Sequence, residues 1–431
     1  MKSKALINLY YLEMKKNIYF IGIILFCFSI HAQSQKELYN QGIKYYEAKD
    51  YANFLKSFRK IDSLRPSHPT YTYNLACAYA LTNDLPNSIN TLRKVILMNN
   101  KTPFEDEPDL IALKDLAEYK GLLELKSDLN KTISNSKKRV SLSEKTLHPE
   151  GLCYLKKSKT WLATSIRNRK IISFDSNTGQ CIDWLKTDDM YSVFFMKPDN
   201  KEEFLWVSTA AMPEMLGYSN ELDGKAEILK VDIKTKKIVG RFAIDGNHVF
   251  GDLTVSKNGT VYVSDSGKAV IYKIEKEVVS EYINLENEAY NLQGITFNDV
   301  ENTLFIADYF KGLLVIPMDK PQNRKWLKFP INASFKGIDG LVFYNNSLIA
   351  IHNGVKPIRI MHYFLNSNYE ISHYKILDNN RIEFDEPAQA IIIKNKLYYF
   401  ANCPWNAYDK NRNLEDTKFE SPMLFELKLN Q

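Results

Sequence analysis

The spacing of apolar residues divides the chain into two regions. Between residues 35 and 128 apolar positions recur at intervals of three and four, the pattern of amphipathic helices. After residue 148 that period is lost, and short apolar runs separated by turn residues replace it, as in β-strands. The polar, basic stretch 129–144 is predicted as a linker that also supplies a strand to the following domain. The fold class is therefore multidomain: an N-terminal α-helical repeat followed by an all-β domain over 145–431.

The helical region repeats itself along the chain. Aligning Gly42 with Ala76 also aligns Tyr45 with Tyr79, and each unit predicts two antiparallel helices. This pattern resembles the tetratricopeptide family over residues 35–101, and the resemblance implies a groove that binds a protein or peptide partner. The alternative is that two repeats only cap or space the next domain.

The β region is built from six similar blocks. Each opens with a small or polar cluster before an apolar strand, and the openings recur at 149, 191, 251, 293, 338 and 388. Repeating units of about four strands at such a period predict a six-bladed β-propeller, with an array of β-sandwiches as the alternative. The last block ends at the C-terminus, so its outermost strand is expected from residues 138–144. The Asn258–Gly259 pair predicts a two-residue hairpin turn.

The innermost strands of a propeller open at one mouth of its channel, and so place their first polar residues together. Those residues are Glu150, Ser192, Asp252, Gln293, Asp339 and Gln389, and the second strands end at the same mouth with Thr164, Asp265, Asp308, His352, Asn353 and Asn402. Crowded carboxylates repel one another unless a cation neutralises them. A set of oxygen ligands suits Ca²⁺, or another hard divalent cation such as Mg²⁺, better than zinc.

Four short motifs resemble those of the gluconolactonase, regucalcin and senescence marker protein family of six-bladed propellers. They are Glu150–Gly151, Asp339–Gly340, Gln293–Gly294–Ile295 and Gly251–Asp252. The resemblance implies that Glu150, Gln293 and Asp339 bind the metal and that Asp339 is also the catalytic base of a lactonase-like hydrolysis. Two positions depart from the family pattern: Gln293 and Gly251 each stand where the family has asparagine.

Further roles follow from the expected position at the mouth. His352 is a second candidate catalytic residue because its imidazole titrates near neutral pH. A small lactone or ester is expected to contact five residues: Asp252, Asp308, Asn353, Gln389 and Asn402.

The insertion 208–227 is expected to form a lid, and Trp405 to add an aromatic wall. The alternatives are that Glu150 and Asp339 only cap strand ends, and that a non-catalytic propeller binds a ligand or protein while its helical repeats recruit it to an envelope assembly.

The segment 1–32 predicts export. Two lysines precede an apolar run from Ile18 to Ile30, and small residues follow around Ala32, which is the order of a signal peptide. Cleavage after Ala32 predicts a periplasmic or secreted protein with no integral membrane span; an uncleaved anchor is the alternative.

Export would place Cys77, Cys153, Cys181 and Cys403 in an oxidising compartment, where disulfides can form. We nevertheless expect buried free thiols, and Cys153–Cys181 is the first pair to test for a disulfide.

The charge and the absence of certain motifs argue against nucleic-acid binding and against several classes of enzyme. The net charge of +6 is spread over 57 basic and 51 acidic residues and falls to +3 without the segment 1–32, so nucleic acid is not an expected partner. The sequence contains no dinucleotide-binding or phosphate-binding glycine loop, no nucleophile elbow and no HExxH helix. Nucleotide-dependent chemistry and serine or zinc hydrolysis are not expected.

Overall fold

The computed structural model describes residues 35–429, so the predicted signal peptide lies outside the described residues. The chain forms two compact units. The first contains the described residues up to Ile96 together with Thr102–Leu123, and the second contains Leu97–Lys101 and the chain from Glu124 onward. Within residues 35–429 no helix combines the length and the apolar character needed to cross a membrane.

The helical segment contains α1 (35–47), α2 (Tyr51–Leu64), α3 (Pro69–Leu81), α4 (Leu85–Met98), a 3₁₀ turn (Pro108–Leu113) and α5 (Ala117–Asn130). Helices α3 and α4 begin and end at the positions that lie one sequence repeat after the ends of α1 and α2. The turns repeat as well, because Asp50 and Asp84 accept hydrogen bonds from the backbone N–H groups of Asn53 and Asn87, at 3.2 and 3.4 Å. The period of the sequence therefore corresponds to one helical hairpin.

The β region is a six-bladed propeller, which confirms the predicted fold class. Blades 1 to 3 each contain four antiparallel strands in chain order. Blade 1 has β3 (Leu152–Leu155), β4 (Thr160–Ser165), β5 (Lys170–Phe174) and β6 (Cys181–Lys186); blade 2 has β7 (Ser192–Pro198), β8 (Phe204–Ala210), β9 (Ala226–Asp232) and β10 (Lys237–Ala243); blade 3 has β11 (Phe250–Val255), β12 (Val261–Asp265), β13 (Val270–Glu275) and β14 (Val278–Asn284).

Blades 4 to 6 follow the same plan, and the chain before blade 1 contributes two more strands. Blade 4 has β15 (Leu292–Phe297), β16 (Thr303–Asp308), β17 (Gly312–Pro317) and β18 (Lys325–Trp326); blade 5 has β19 (Ile338–Phe343), β20 (Ser347–His352), β21 (Arg359–Leu365), β22 (Ile371–Asn379) and, at its outer edge, β1 (Ile133–Ser134); blade 6 has β23 (Ala390–Ile393), β24 (Lys396–Phe400), β25 (Met423–Lys428) and β2 (Lys137–Ser141).

The ring closes through β2, which pairs with β25 so that Val140 lies opposite Leu424. Part of the stretch expected as a linker is also sheet, because β1 pairs with β22 and the Asn379 side chain donates to the carbonyl oxygens of Leu129 and Lys131. These bonds give the polar stretch backbone partners, which a free linker would lack.

The core of the propeller lies between its blades. Six hydrophobic clusters occupy the six interfaces between neighbouring blades. The cluster between blades 6 and 1 joins Val140 and Leu424 to Leu152 and Ala163. Because each cluster draws on two sheets, the apolar residues of about 285 positions are buried without one oversized core.

One local prediction, the two-residue hairpin turn, needs correction. Gly259 has a positive φ of 89°, but Val255 pairs with Val261, so the connection runs over 256–260 and is longer than a two-residue turn. All four cysteines of the described residues are free, as expected, and all but the partly exposed Cys181 are buried. Cys153 on β3 and Cys181 on β6 are three strands apart, or about 14 Å at the spacing of a sheet, which is too far for a disulfide.

Candidate functional site

A cavity of about 400 Å³ opens at the mouth of the propeller channel. Its polar lining includes three carboxyl side chains, several amides and Ser266, and its apolar lining is mainly aromatic. The carboxyl groups are Glu150, Asp339 and Glu386; the amides are Asn291, Gln293, Asn353 and Gln389; the apolar residues include Phe194, Met212, Val249, Phe310 and Trp405, with Tyr309 beside them. No lysine or arginine lines this cavity among the described residues.

The glycine that follows three of the cavity residues has a packing role. A Cβ added at Gly151 would lie 2.6 Å from the Phe194 carbonyl oxygen, and one at Gly340 would lie 2.0 Å from that of Ala388. In both cases the obstructing oxygen belongs to the opening segment of the next blade. The small residue therefore lets the innermost strands approach around the channel and holds the preceding polar side chain at the mouth.

Glu150 and Asp339 each have one hydrogen-bonded carboxyl oxygen. The indole N–H of Trp405 donates to Glu150 Oε1, and the Asn353 amide donates to Asp339 Oδ2 at 2.5 Å. Within residues 35–429 no hydrogen bond reaches Glu150 Oε2 or Asp339 Oδ1, and Asn353 Oδ1 is buried without a partner. One oxygen of each carboxyl group and one amide oxygen thus remain available to a ligand.

Burial dominates the proton affinity of this pair. Burial, together with the charges of Asp339 and Glu386, raises the pKa of Glu150 well above its usual value, although the Trp405 hydrogen bond opposes the shift. Burial also raises the pKa of Asp339 to about 6, against the opposing effect of the Asn353 hydrogen bond. Desolvation and the neighbouring carboxyl charges thus raise the proton affinity of both groups above that of exposed carboxylates.

Glu386 is a cavity residue that the sequence reasoning did not identify. It precedes β23 in a left-handed conformation (φ 52°), and its Oε1 accepts a hydrogen bond from the Asn406 amide at 2.6 Å. Burial raises the pKa of the Glu386 carboxyl group. No motif marked this residue, because its position depends on the irregular connection from β22 to β23.

Two long connections border the cavity. The first, 211–225 between β8 and β9, lies within the insertion expected as a lid and places Met212 in the lining. The second, 401–422 between β24 and β25, contributes Trp405, which stacks on Phe194 with ring centroids 6.3 Å apart. The Glu214 carboxylate and the Arg412 guanidinium join the two connections at 2.8 Å. The aromatic wall expected from Trp405 thus belongs to a larger structure of two loops.

Two predicted substrate contacts are instead structural carboxylates. Asp308 is fully buried at the end of β16, and its two oxygens accept backbone N–H groups at 2.6–2.9 Å: Tyr290, Asn291, Phe310 and Lys311. Asp252 is also buried and accepts from the backbone of Leu253 at 2.7 Å and Ile295 at 3.0 Å. Neither residue lines the cavity, because backbone donors occupy the oxygens that would meet a substrate.

His352 and Asn402 are likewise turned away from the cavity. The His352 ring is fully buried between the Lys336 carbonyl oxygen and the Tyr363 hydroxyl, each 3.0 Å away. Burial lowers the pKa of His352 to about 3, so this imidazole stays neutral, contrary to the expected acid–base role. Asn402 donates to the carbonyl oxygens of Glu420 and Ser421 and accepts from the backbone N–H of Met423. Asn353 and Gln389, by contrast, do line the cavity.

The predicted metal ligands Glu150, Gln293 and Asp339 line one cavity. Gln293 Nε2 donates to Asn291 Oδ1 at 2.6 Å, which leaves the amide oxygen of Gln293 as a donor atom for a cation. Within residues 35–429 no group of three or more His, Cys, Asp or Glu side chains is arranged to hold a metal ion. A cation here would therefore combine two carboxylates with amide oxygens.

No family model and no curated protein matches the sequence. Solved structures similar to the chain include the calcium-binding protein regucalcin from Agrobacterium tumefaciens, with 12% identity, a TM-score of 0.48, and coverage of 68% of this chain and 94% of that one. Another is the PQQ-bound aldose sugar dehydrogenase of Streptomyces coelicolor, with 12% identity, a TM-score of 0.47, and coverage of 69% and 98%. A third is virginiamycin B lyase from Staphylococcus aureus, with 13% identity, a TM-score of 0.43, and coverage of 67% and 98%. Likenesses this distant do not bear on chemistry.

Proposed function

We propose that the propeller hydrolyses a small lactone or ester at the channel mouth with the help of a divalent cation. The observation that carries the proposal is the pairing of Glu150 with Asp339: two desolvated carboxyl groups share one cavity, and each keeps one oxygen without a hydrogen bond. The motif resemblance to the gluconolactonase and regucalcin family supports the same chemistry.

The donor set fits a hard cation. Glu150 and Asp339 would hold the ion with the amide oxygen of Gln293, and the buried, unpartnered Asn353 Oδ1 is a further oxygen at the same site. When bound, such an ion polarises the substrate carbonyl and favours the ionised form of both carboxyl groups. Ca²⁺ tolerates this mixture of carboxylates and amides better than smaller cations do.

Asp339 is the proposed proton acceptor. A water molecule adds its oxygen to the carbonyl carbon while its proton passes to the Asp339 carboxylate, and the bond to the leaving oxygen then breaks. The proton returns to that oxygen, so the products are a carboxylic acid and a hydroxyl group. The Asn353 amide, 2.5 Å from Asp339 Oδ2, orients the carboxylate so that its other oxygen faces the cavity.

A panel of lactones and esters, assayed with and without calcium, tests the proposal. We expect hydrolysis that requires the ion and falls at least about a hundredfold in Asp339→Asn, since general-base catalysis contributes a factor of this order. Glu370→Gln is the matched control because it removes an exposed carboxylate from another part of the propeller. Equal, negligible calcium binding by the wild type and Asp339→Asn would refute the cation site.

A second candidate function is non-catalytic ligand binding. Gly251 offers no side chain where the resembled family has asparagine, and Trp405 occupies one oxygen of Glu150. Both features reduce the groups available for catalysis while preserving a walled cavity. Saturable binding of a ligand without turnover of any ester or lactone would favour this function over hydrolysis.

For the helical unit we propose tetratricopeptide-like recognition of a protein or peptide in the periplasm or outside the cell. The support is that the helix bounds and the capping aspartates both repeat along the chain.

If the protein is exported, N-terminal sequencing should show that the mature chain begins at Gln33. Deleting residues 35–96 should abolish recovery with an envelope partner while calcium binding persists; recovery that survives the deletion contradicts the proposed role.

A further inference from the structure

The cavity carries negative charge that the proposed metal site does not use. Glu386 lines the same space as Glu150 and Asp339, yet no three acidic side chains within residues 35–429 are arranged to hold one metal ion. Glu386 is therefore not a third carboxylate ligand. Lys356 lowers the pKa of Glu386 only as the last of several influences, and within the described residues it forms no ion pair with Glu386.

The surroundings of Glu386 are aromatic. Tyr309 and Trp405 line the same cavity as Glu386. The charges of Asp339 and Glu386 contribute, after burial, to raising the pKa of the Tyr309 hydroxyl. Asn406, which donates to Glu386 Oε1, directly follows Trp405 in the chain. A half-buried carboxylate with one open oxygen thus shares the cavity with two aromatic side chains of its wall.

A second observation points to a ligand in this space. Glu150 is only 8% exposed, lines the cavity, and receives no hydrogen bond on Oε2 from the described residues. Aromatic walls contribute nothing to the coordination of a hard metal ion, but they attract an organic cation through the negative face of the ring. A carboxylate in one cavity with tyrosine and tryptophan provides both the charge and the apolar contact that an alkylammonium group requires.

We propose that Glu386, Tyr309 and Trp405 form a subsite for an organic ammonium group, which makes the substrate class a cationic, amine-bearing ester or lactone. The turnover of such a substrate rests on the proposed function, whereas its binding does not. Anionic substrates are disfavoured, since no lysine or arginine of the described chain lines the cavity. Glu386 acts here as a specificity-determining residue.

Binding of choline and of its neutral isostere 3,3-dimethylbutan-1-ol tests the subsite without any requirement for hydrolysis. Both are titrated calorimetrically into the full chain. We expect the wild type to bind choline at least about tenfold more tightly than the isostere, and Glu386→Gln to remove this preference while leaving the affinity for the isostere unchanged. Glu370→Gln should behave as the wild type. Equal affinities for the two probes, or a preference that survives Glu386→Gln, would overturn the proposal.

Two additions keep the test decisive. If Glu386→Gln does not fold, Glu386→Asp replaces it, because aspartate tolerates the left-handed backbone at this position and should weaken the preference rather than abolish it. Hydrolysis of acetylcholine and 3,3-dimethylbutyl acetate then separates the two proposals. Preferential choline binding without hydrolysis of either ester refutes the hydrolase and leaves the subsite standing; equal hydrolysis of both esters refutes the subsite alone.

Discussion

Carboxylates of the propeller differ in what their oxygens contact, and this contact decides their role. Asp308 and Asp265 end the second strands of two blades. Backbone N–H groups bind both oxygens of Asp308 and one oxygen of Asp265, whose other oxygen lies 2.6 Å from Nδ1 of His248. Glu150 and Asp339 precede or begin innermost strands and keep one open oxygen each. A carboxylate saturated by buried donors stabilises the fold, whereas one with an unfilled oxygen at a cavity can bind a ligand.

Asp308→Asn separates these roles by experiment. The amide would place an NH₂ group against two backbone N–H donors, so we expect the free energy of unfolding to fall by roughly 2 kcal/mol or more. Chemical denaturation measures the loss, and calcium affinity at the mouth should stay within about twofold of the wild type. A large loss of calcium binding in a stably folded variant would instead return Asp308 to the binding site.

Competition between protons and calcium at Glu150 and Asp339 predicts that calcium binding depends on pH. The pKa of Asp339 is raised to about 6 and that of Glu150 well above its usual value, so both groups bind protons in mildly acidic solution when the ion is absent. Calcium must displace these protons, and its affinity should therefore rise with pH from about 5 through 6 and above. Calorimetry in two buffers with different ionisation enthalpies counts the protons released. An affinity that stays constant across this range would contradict the assignment.

Among the elements, local patterns were predictable and irregular connections were not. The repeat period indicated the helical hairpins because each repeat carries its own capping aspartate. The openings of the first strands correctly located Glu150, Gln293, Asp339 and Gln389 at the cavity, but Asp252, at another such opening, binds backbone N–H groups instead. Asp308 and His352, which end second strands, also lie outside the cavity, because turn geometry there directs a polar side chain onto the backbone. Glu386 was missed because it lies in a connection without a repeating pattern.

The closing strand β2 offers a test at the scale of one element. Val140 is buried in the cluster between blades 6 and 1, while Lys138 on the same strand is exposed. Val140→Asp would place a carboxylate among apolar side chains and should cost about 2–4 kcal/mol of unfolding free energy. Lys138→Asp, the matched control, should change stability by less than about 0.5 kcal/mol. Equal stabilities of the two variants would show that β2 does not close the ring in solution.

At the scale of the whole molecule, the ring brings distant segments into one site. Glu150 follows the closing strand, Asp339 opens blade 5, and Trp405 lies in a connection of blade 6. Interfaces between blades repeat around the ring, so their apolar residues were predictable as a class. The site itself depends on which connections are long, and neither composition nor strand periodicity encodes where a loop such as 401–422 places its side chains.

The two compact units permit a final prediction, because their spectroscopic signals differ. All five tryptophans (Trp161, Trp184, Trp206, Trp326 and Trp405) belong to the propeller unit, whereas the ellipticity of helices comes mainly from α1 to α4. Calcium at about one hundred times its dissociation constant should stabilise the unit that binds it by about 2.7 kcal/mol. The unfolding midpoint followed by tryptophan fluorescence should therefore rise with calcium, while the helical transition, followed by far-ultraviolet circular dichroism, stays in place. Asp339→Asn should abolish the rise and Glu370→Gln should retain it; a shift of the helical transition alone would mean that the cation binds elsewhere.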